Sequence, residues 1–142
     1  MQPNGETSVT WGKLRQGAED AMRPLPLGTR VPVVVTDAEY KRASTGADMV
    51  TLKLAVFEGD HINRKFVNVN FVLSPDNPFA MTMFFRRMDA FGINDQVFSQ
   101  LENVGGGTER HLTIIADLMV QRKAWLTMGE PREYQGTARD NP

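Results

Sequence analysis

Met49-Val50-Thr51-Leu52-Lys53-Leu54-Ala55-Val56-Phe57 alternates without a break: Val50, Leu52, Leu54 and Val56 share one face, and Thr51, Lys53, Ala55 and Phe57 the other. A strict period of two, rich in branched side chains, is the pattern of a half-buried β-strand. Turn-forming residues bracket it: Lys41-Arg42-Ala43-Ser44-Thr45-Gly46 before, and Glu58-Gly59-Asp60 after. Beyond each turn the alternation resumes. Arg30–Thr36 carries Val31, Val33 and Val35; Arg64–Leu73 sets Val67, Val69, Phe71 and Leu73 on one face and Phe66, Asn68, Asn70 and Val72 on the other. Three such runs joined by short turns predict an antiparallel meander.

Helical patterning follows. Asn77 suits an N-cap and Pro78 the first helical position, and Met81, Phe84, Phe85, Met88 and Phe91 recur at three- and four-residue spacing up to Gly92. Further helices are expected over Gln96–Val104 and Glu109–Leu118, separated by Gly105-Gly106-Gly107. Ala124, Leu126 and Met128 then alternate with Lys123, Trp125 and Thr127 as a fourth strand, and Thr137–Pro142 reads as the start of a fifth or as a loose tail. Upstream, Thr10 to Met22 reads as a short helix weakened by Gly12 and Gly17, and Pro24-Leu25-Pro26-Leu27-Gly28 continues it as extended chain. The expectation is a mainly β chain: an N-terminal segment over 1–29, then one domain over 30–142. That domain would be an OB-fold, a five-stranded, partly open Greek-key barrel with a helical insert between strands 3 and 4.

Composition narrows the function classes. The 142 residues suit one compact domain, and the absence of cysteine excludes disulfides, zinc ribbons and thiol nucleophiles. The first nine residues hold no apolar run, and no stretch approaches the roughly 18 apolar residues that span a bilayer, so a cytoplasmic protein without a membrane partner is expected. The net charge is −1, unevenly spread. Residues 30–73 carry six Lys/Arg against five Asp/Glu, 74–119 three against six, and 120–142 four against three. The expected strands are thus slightly basic, and local potential, not total charge, governs attraction of a polyanion.

Catalytic patterns are poor. His61 and His111 lack metal-site spacing, the acids Asp37, Glu39, Asp48, Glu58 and Asp60 have no partners of known spacing, and Ser44 and Ser74 stand without a His or acid beside them. Gly105-Gly106-Gly107-Thr108 lacks the Gly-Lys-Ser/Thr ending of a phosphate cradle and reads as a joint. No enzyme activity, cofactor or metal is expected.

Several short pieces recur in order: Thr10-Trp11-Gly12-Lys13-Leu14, Pro24–Thr29, Ser44-Thr45-Gly46, Asn63-Arg64-Lys65-Phe66, Phe71–Pro78, Phe84–Met88, Phe91-Gly92, Leu126–Gly129 and Glu133-Tyr134-Gln135-Gly136. With them, Trp11 to Asp140 resembles a family of short single-stranded DNA-binding proteins with an OB-fold, found especially in phages of actinobacteria. The resemblance implies sequence-tolerant coating of single strands in phage replication, recombination or repair, in the cytoplasm of an infected bacterium. It also implies a homo-oligomer, with phage or host replication and recombination proteins as further partners. The chain ends Ala138-Arg139-Asp140-Asn141-Pro142, without the acidic, aromatic-tipped tail of bacterial relatives, so recruitment through such a tail is not carried over.

Single strands are held by aromatic stacking beside a basic groove. If the valine-rich faces are the core, Lys53, Phe57, Phe66, Lys123 and Trp125 point outward. Trp125, next to Arg122 and Lys123, is the leading stacking residue, and Phe66 after Arg64-Lys65 the second; each has an ordinary alternative as a covered packing residue. Tyr40, Lys41 and Arg42 at the first turn, and Arg132 and Tyr134 on the last, complete the expected DNA-binding set. The rival expectation is a structural or protein–protein interaction module on the same barrel, with Trp125 and Phe57 buried in an interface. A metal-dependent nuclease is a third, which the carboxylate pattern does not favour.

Overall fold

The computed structural model describes residues 10–129, 131–134 and 137–142, by backbone alone for Ala21, 132–134 and 137–139. In chain order the elements are α1 (Trp11–Met22), β1 (Arg30–Arg42), β2 (Asp48–Val56), β3 (Lys65–Val72), α2 (Pro78–Ala90), α3 (Asp95–Leu101), α4 (Gly107–Met119), β4 (Lys123–Thr127), β5 (Arg132–Tyr134) and β6 (Thr137–Arg139). Two compact units result: Arg30–Thr127 forms one, and the chain on either side of it the other.

In the larger unit, four antiparallel strands lie in the order β3-β2-β1-β4. Val31, Val33 and Val35 of β1 and Val50, Leu52, Leu54 and Val56 of β2 are buried on one face. That face is covered by helices. α4 lies on β1 and β2 and contributes Leu112, Ile115, Ala116 and Met119; α2 lies against β3 and contributes Phe84 and Met88. These residues turn inward, as a two-layer architecture requires, while Phe85 of α2 and Leu118 of α4 stay exposed. Asn77 caps α2 by accepting from the Ala80 amide, and the following loop brings Phe91 to within 6.1 Å of Phe71, centre to centre. α4 begins earlier than the sequence suggests: Gly106 at φ 100 is its N-cap and Gly107 its first residue, while Gly105 and Gly106 remain in the connection from α3.

The expected five-stranded OB-fold barrel with a helical insert does not form. One open sheet of four strands and four helices takes its place, with β3 and β4 as opposite edges. The chain read as a fifth strand holds β6, which pairs with β5 and not with the sheet. A barrel must close strands around their own interior, whereas here helices supply the second layer of the core.

The smaller unit is tied by hydrogen bonds between its two chain segments. The Gly28 amide donates to Met128 O, the Met128 amide to Thr29 O, and the Leu25 amide to the Asp140 carboxylate at 2.7 Å. Among the described residues, no helix is long and apolar enough to cross a membrane.

Two irregularities decide which side chains reach which face. Leu52 opposes Val69 while Leu54 opposes Phe66, so β3 carries one residue more than β2 between these pairs. Asn68, at φ 55, supplies the bulge; asparagine tolerates this left-handed conformation better than most residues. Val35 opposes Leu54 while Asp37 opposes Lys53, so Thr36 is the extra residue in β1, and its hydroxyl donates to Lys53 O at 3.1 Å.

Candidate nucleic-acid interface

Directly paired residues of an antiparallel sheet share a face, so the register lays out the surface opposite the helices row by row. One row reads Lys123, Val34, Ala55, Lys65 across β4, β1, β2 and β3. The next reads Trp125, Pro32, Phe57: Trp125 pairs with Pro32, and the Phe57 amide donates to Pro32 O at 3.2 Å. Arg30 and Thr127 form a third row at the end of the sheet. On the other side of the lysine row, Lys53 faces Asp37.

Two cation–aromatic pairs stand on these rows. The Arg30 guanidinium lies 4.9 Å from the centre of the Trp125 ring, and Lys123 Nζ lies 4.8 Å from that of Phe57. Trp125 is 57% exposed, a large value for the largest side chain in the unit, while Phe57 is half-buried. Each ring faces a fixed positive charge, so aromatic surface and cation are presented together. Lys65 and Lys53 are exposed on the same face.

Of the residues expected to bind DNA, the structure therefore gathers Trp125, Lys123, Lys65 and Lys53. Phe66 is not among them. It is 3% exposed, inside the core, whereas Val67 is exposed. The Asn68 bulge is the reason: it resets the alternation so that Phe66, Val69 and Phe71 oppose the core residues Leu54, Leu52 and Val50. Arg122 is also drawn elsewhere. Its Nε donates to Leu118 O at 3.1 Å, and its Nη1 lies 3.4 Å from both Phe91 O and Gly92 O. The side chain thus satisfies carbonyls at the ends of α4 and α2, where a cation also complements the helix dipole. Gly92 makes room for it, because a Cβ there would lie 2.5 Å from Arg122 Nη1.

Tyr40, Lys41 and Arg42 lie about 26 Å along β1 from the Trp125 row, eight residues at about 3.3 Å each. Tyr40 donates its hydroxyl to Asp48, Arg42 pairs with the same carboxylate at 3.6 Å, and Lys41 pairs with Glu39 at 3.3 Å. The hydrogen bond to Asp48 pushes the Tyr40 hydroxyl above its ordinary pKa, with burial adding to it; Arg42 is raised by Tyr40 first and by the Asp48 charge as well. This cluster fastens the β1–β2 turn. Arg64 immediately precedes β3, and its carbonyl accepts from the Val56 amide. The side chains of Arg132 and Tyr134 lie outside the described residues.

Arg30 is absent from the expected set, and Phe57, expected to point outward but without a binding role, joins the site as a stacking ring. Both could be found from the strand phase alone, since Arg30 precedes the buried Val31 and Phe57 follows the buried Val56. Among the described residues, no three His, Asp or Glu side chains group as metal ligands.

Residues 20–104 match a family described as "Protein of unknown function (DUF669)". No curated protein is matched by the chain.

Proposed function

Because that match covers more than half of its length, the chain belongs to the DUF669 family, and we propose that it binds single-stranded DNA, without sequence preference, across the open face of its sheet. Trp125 and Phe57 offer stacking surfaces to bases, and Arg30, Lys123, Lys65 and Lys53 contact phosphates. Coating of single strands during phage replication, recombination or repair is the role in which such binding serves. The observation that carries the reading is the pair of cation-backed rings, Arg30 on Trp125 and Lys123 on Phe57, with both rings in one row of the sheet face opposite α2 and α4. Stacking tolerates any base because every base has a π-face, and cations beside the ring add sequence-independent attraction. Nothing in the reading needs a closed barrel.

The test is a titration with oligo-dT, followed by tryptophan emission, at two salt concentrations and with duplex DNA as competitor. The expected result is quenching by the single strand, weakened by salt and little affected by the duplex. Absence of binding to single strands at low salt overturns the proposal.

A further inference from the structure

Helix α1, Trp-Gly-Lys-Leu-Arg-Gln-Gly-Ala-Glu-Asp-Ala-Met over Trp11–Met22, exposes its apolar side. Trp11 is 81%, Leu14 51% and Met22 75% exposed, and Ala18 is exposed with them. At about 100° per residue these four fall within an arc of about 80°, a continuous stripe along the helix. The polar side is occupied: Gln16 Nε2 donates to Asp20 at 3.0 Å, and Arg23 pairs with Asp20 at 3.2 Å. Arg15 and Glu19 border the stripe on one flank and, among the described residues, make no ion pair.

The helix is poorly supported on its own. It has 12 residues, two of them glycine, and the Thr10 side chain makes no capping hydrogen bond. Isolated helices of that length are marginal in water even for favourable sequences, and each glycine costs about 1 kcal/mol against alanine. Packing of the stripe is the missing stabilisation.

We propose that the stripe is covered by α1 of a second copy of this chain, packed antiparallel about a two-fold axis near Gly17. A two-fold contact brings the same patch of both copies together. Antiparallel pairing sets each flank against the same flank of the other helix, so Arg15 of each copy meets Glu19 of the other, twice. Trp11 comes to lie toward the partner's Met22, and the small Ala18 lets the axes approach. A parallel pair sets the charged flank against the side carrying Gly17, which has no charge to offer. The charges therefore choose the second copy and its direction.

A helix about 18 Å long buries less than the roughly 1,600 Å² of a standard interface, so the dimer is weak and concentration-dependent. It rests on α1 alone and is independent of the nucleic-acid reading.

Sedimentation of the full chain, from micromolar to near-millimolar protein, tests this. The wild type is expected to pass from monomer to dimer, and Leu14→Glu to remain monomeric over the same range. Arg15→Glu and Glu19→Arg each set like charges across both contacts and are expected to weaken the dimer by about tenfold or more. Mixed in equal amounts, the two variants regain dimer, because each contact again joins opposite charges. Circular dichroism checks that both single variants keep the fold of the sheet unit. A wild type that stays monomeric, a Leu14→Glu variant that dimerises like wild type, or a mixture that gains no mass overturns the proposal.

Discussion

Replacing Trp125 with alanine removes the indole that the proposed interface depends on most, and the structure bounds the loss. The ring is 57% exposed, and the Arg30 guanidinium, 4.9 Å from its centre, occupies one side. One face is left for a base, so the substitution forfeits one stacking contact, about 1–3 kcal/mol. That is a Kd weakened by about fivefold to about 150-fold. Arg30 remains and is free to turn to a phosphate, which places the expectation near tenfold. Trp125→Phe keeps a smaller ring and falls between. Fluorescence anisotropy of a labelled oligo-dT over a salt series separates stacking from charge. Trp125→Ala leaves the slope of log K against log salt unchanged, whereas Lys123→Ala reduces its magnitude by about 0.7, the value for one phosphate contact on a single strand. Because the ring is exposed, the denaturation midpoint of Trp125→Ala stays close to wild type. Affinity within twofold of wild type in a folded Trp125→Ala protein would refute the stacking argument.

Phe66→Ala should separate from Trp125→Ala in the opposite sense. Its ring is in the core, so chemical denaturation should show a loss of about 3–5 kcal/mol, with oligo-dT affinity of the folded protein unchanged; a stable variant with impaired binding refutes the assigned register. Arg122→Ala frees the carbonyls of Leu118, Phe91 and Gly92, and about 1–2 kcal/mol of stability should go with it. Arg122→Lys should recover only part, since one ammonium cannot reach the ends of both helices; full recovery in the same denaturation assay argues against the shared cap. The Tyr40 hydroxyl is held above its ordinary value of 10.0 because its neutral form donates to Asp48, so its contribution to stability is whole below about pH 10 and is lost as pH rises through the raised value. Ultraviolet difference titration should show one tyrosine ionising late, absent in Tyr40→Phe and restored toward the ordinary value in Asp48→Asn; a late tyrosine that persists in Asp48→Asn refutes the assignment.

The strands were legible because each buried run obeys its period: Val31 to Val35 and Val50 to Val56 alternate without interruption and are buried throughout. The Asn77 cap was equally plain, because a local hydrogen bond fixes it, whereas the stripe of α2 is buried only at Phe84 and Met88, with Phe85 exposed. What alternation cannot announce is a change of phase. A bulge adds one residue without altering composition, so Val67-Asn68 looks like ordinary strand, and Phe66 lands on the wrong face of the expectation. Asn68 was the sole local sign, a residue type that tolerates φ 55 in a run otherwise made for extended chain. The barrel expectation failed for a different reason. Strand order along the chain is silent on closure, which depends on whether helices or further strands cover the apolar face, and α4 and α2 do so here.

The bulge at Thr36 carries the argument furthest. If β1 kept the phase of Val31, Val33 and Val35, then Asp37 and Glu39 would point into the core, and burying two carboxylates would cost several kcal/mol each. The extra residue turns both outward, with Asp37 opposite Lys53 and Glu39 paired with Lys41, and brings Ala38 and Tyr40 to the helix-covered side. The open face is thereby divided along its length. Arg30, Lys123 and Lys65 lie on or beside the ring rows at one end, Lys53 faces Asp37 midway, and Glu39 with Lys41 occupies the other end. On the proposed reading, a polyanion meets Arg30, Lys123 and Lys65 around the aromatic rows, whereas beyond Lys53 the acids are balanced by lysines, Asp37 facing Lys53 and Glu39 pairing with Lys41. A chain of net charge −1 can present such a surface because six of its acids lie in residues 74–119, against three Lys/Arg, and the inserted threonine keeps Asp37 and Glu39 out of the core.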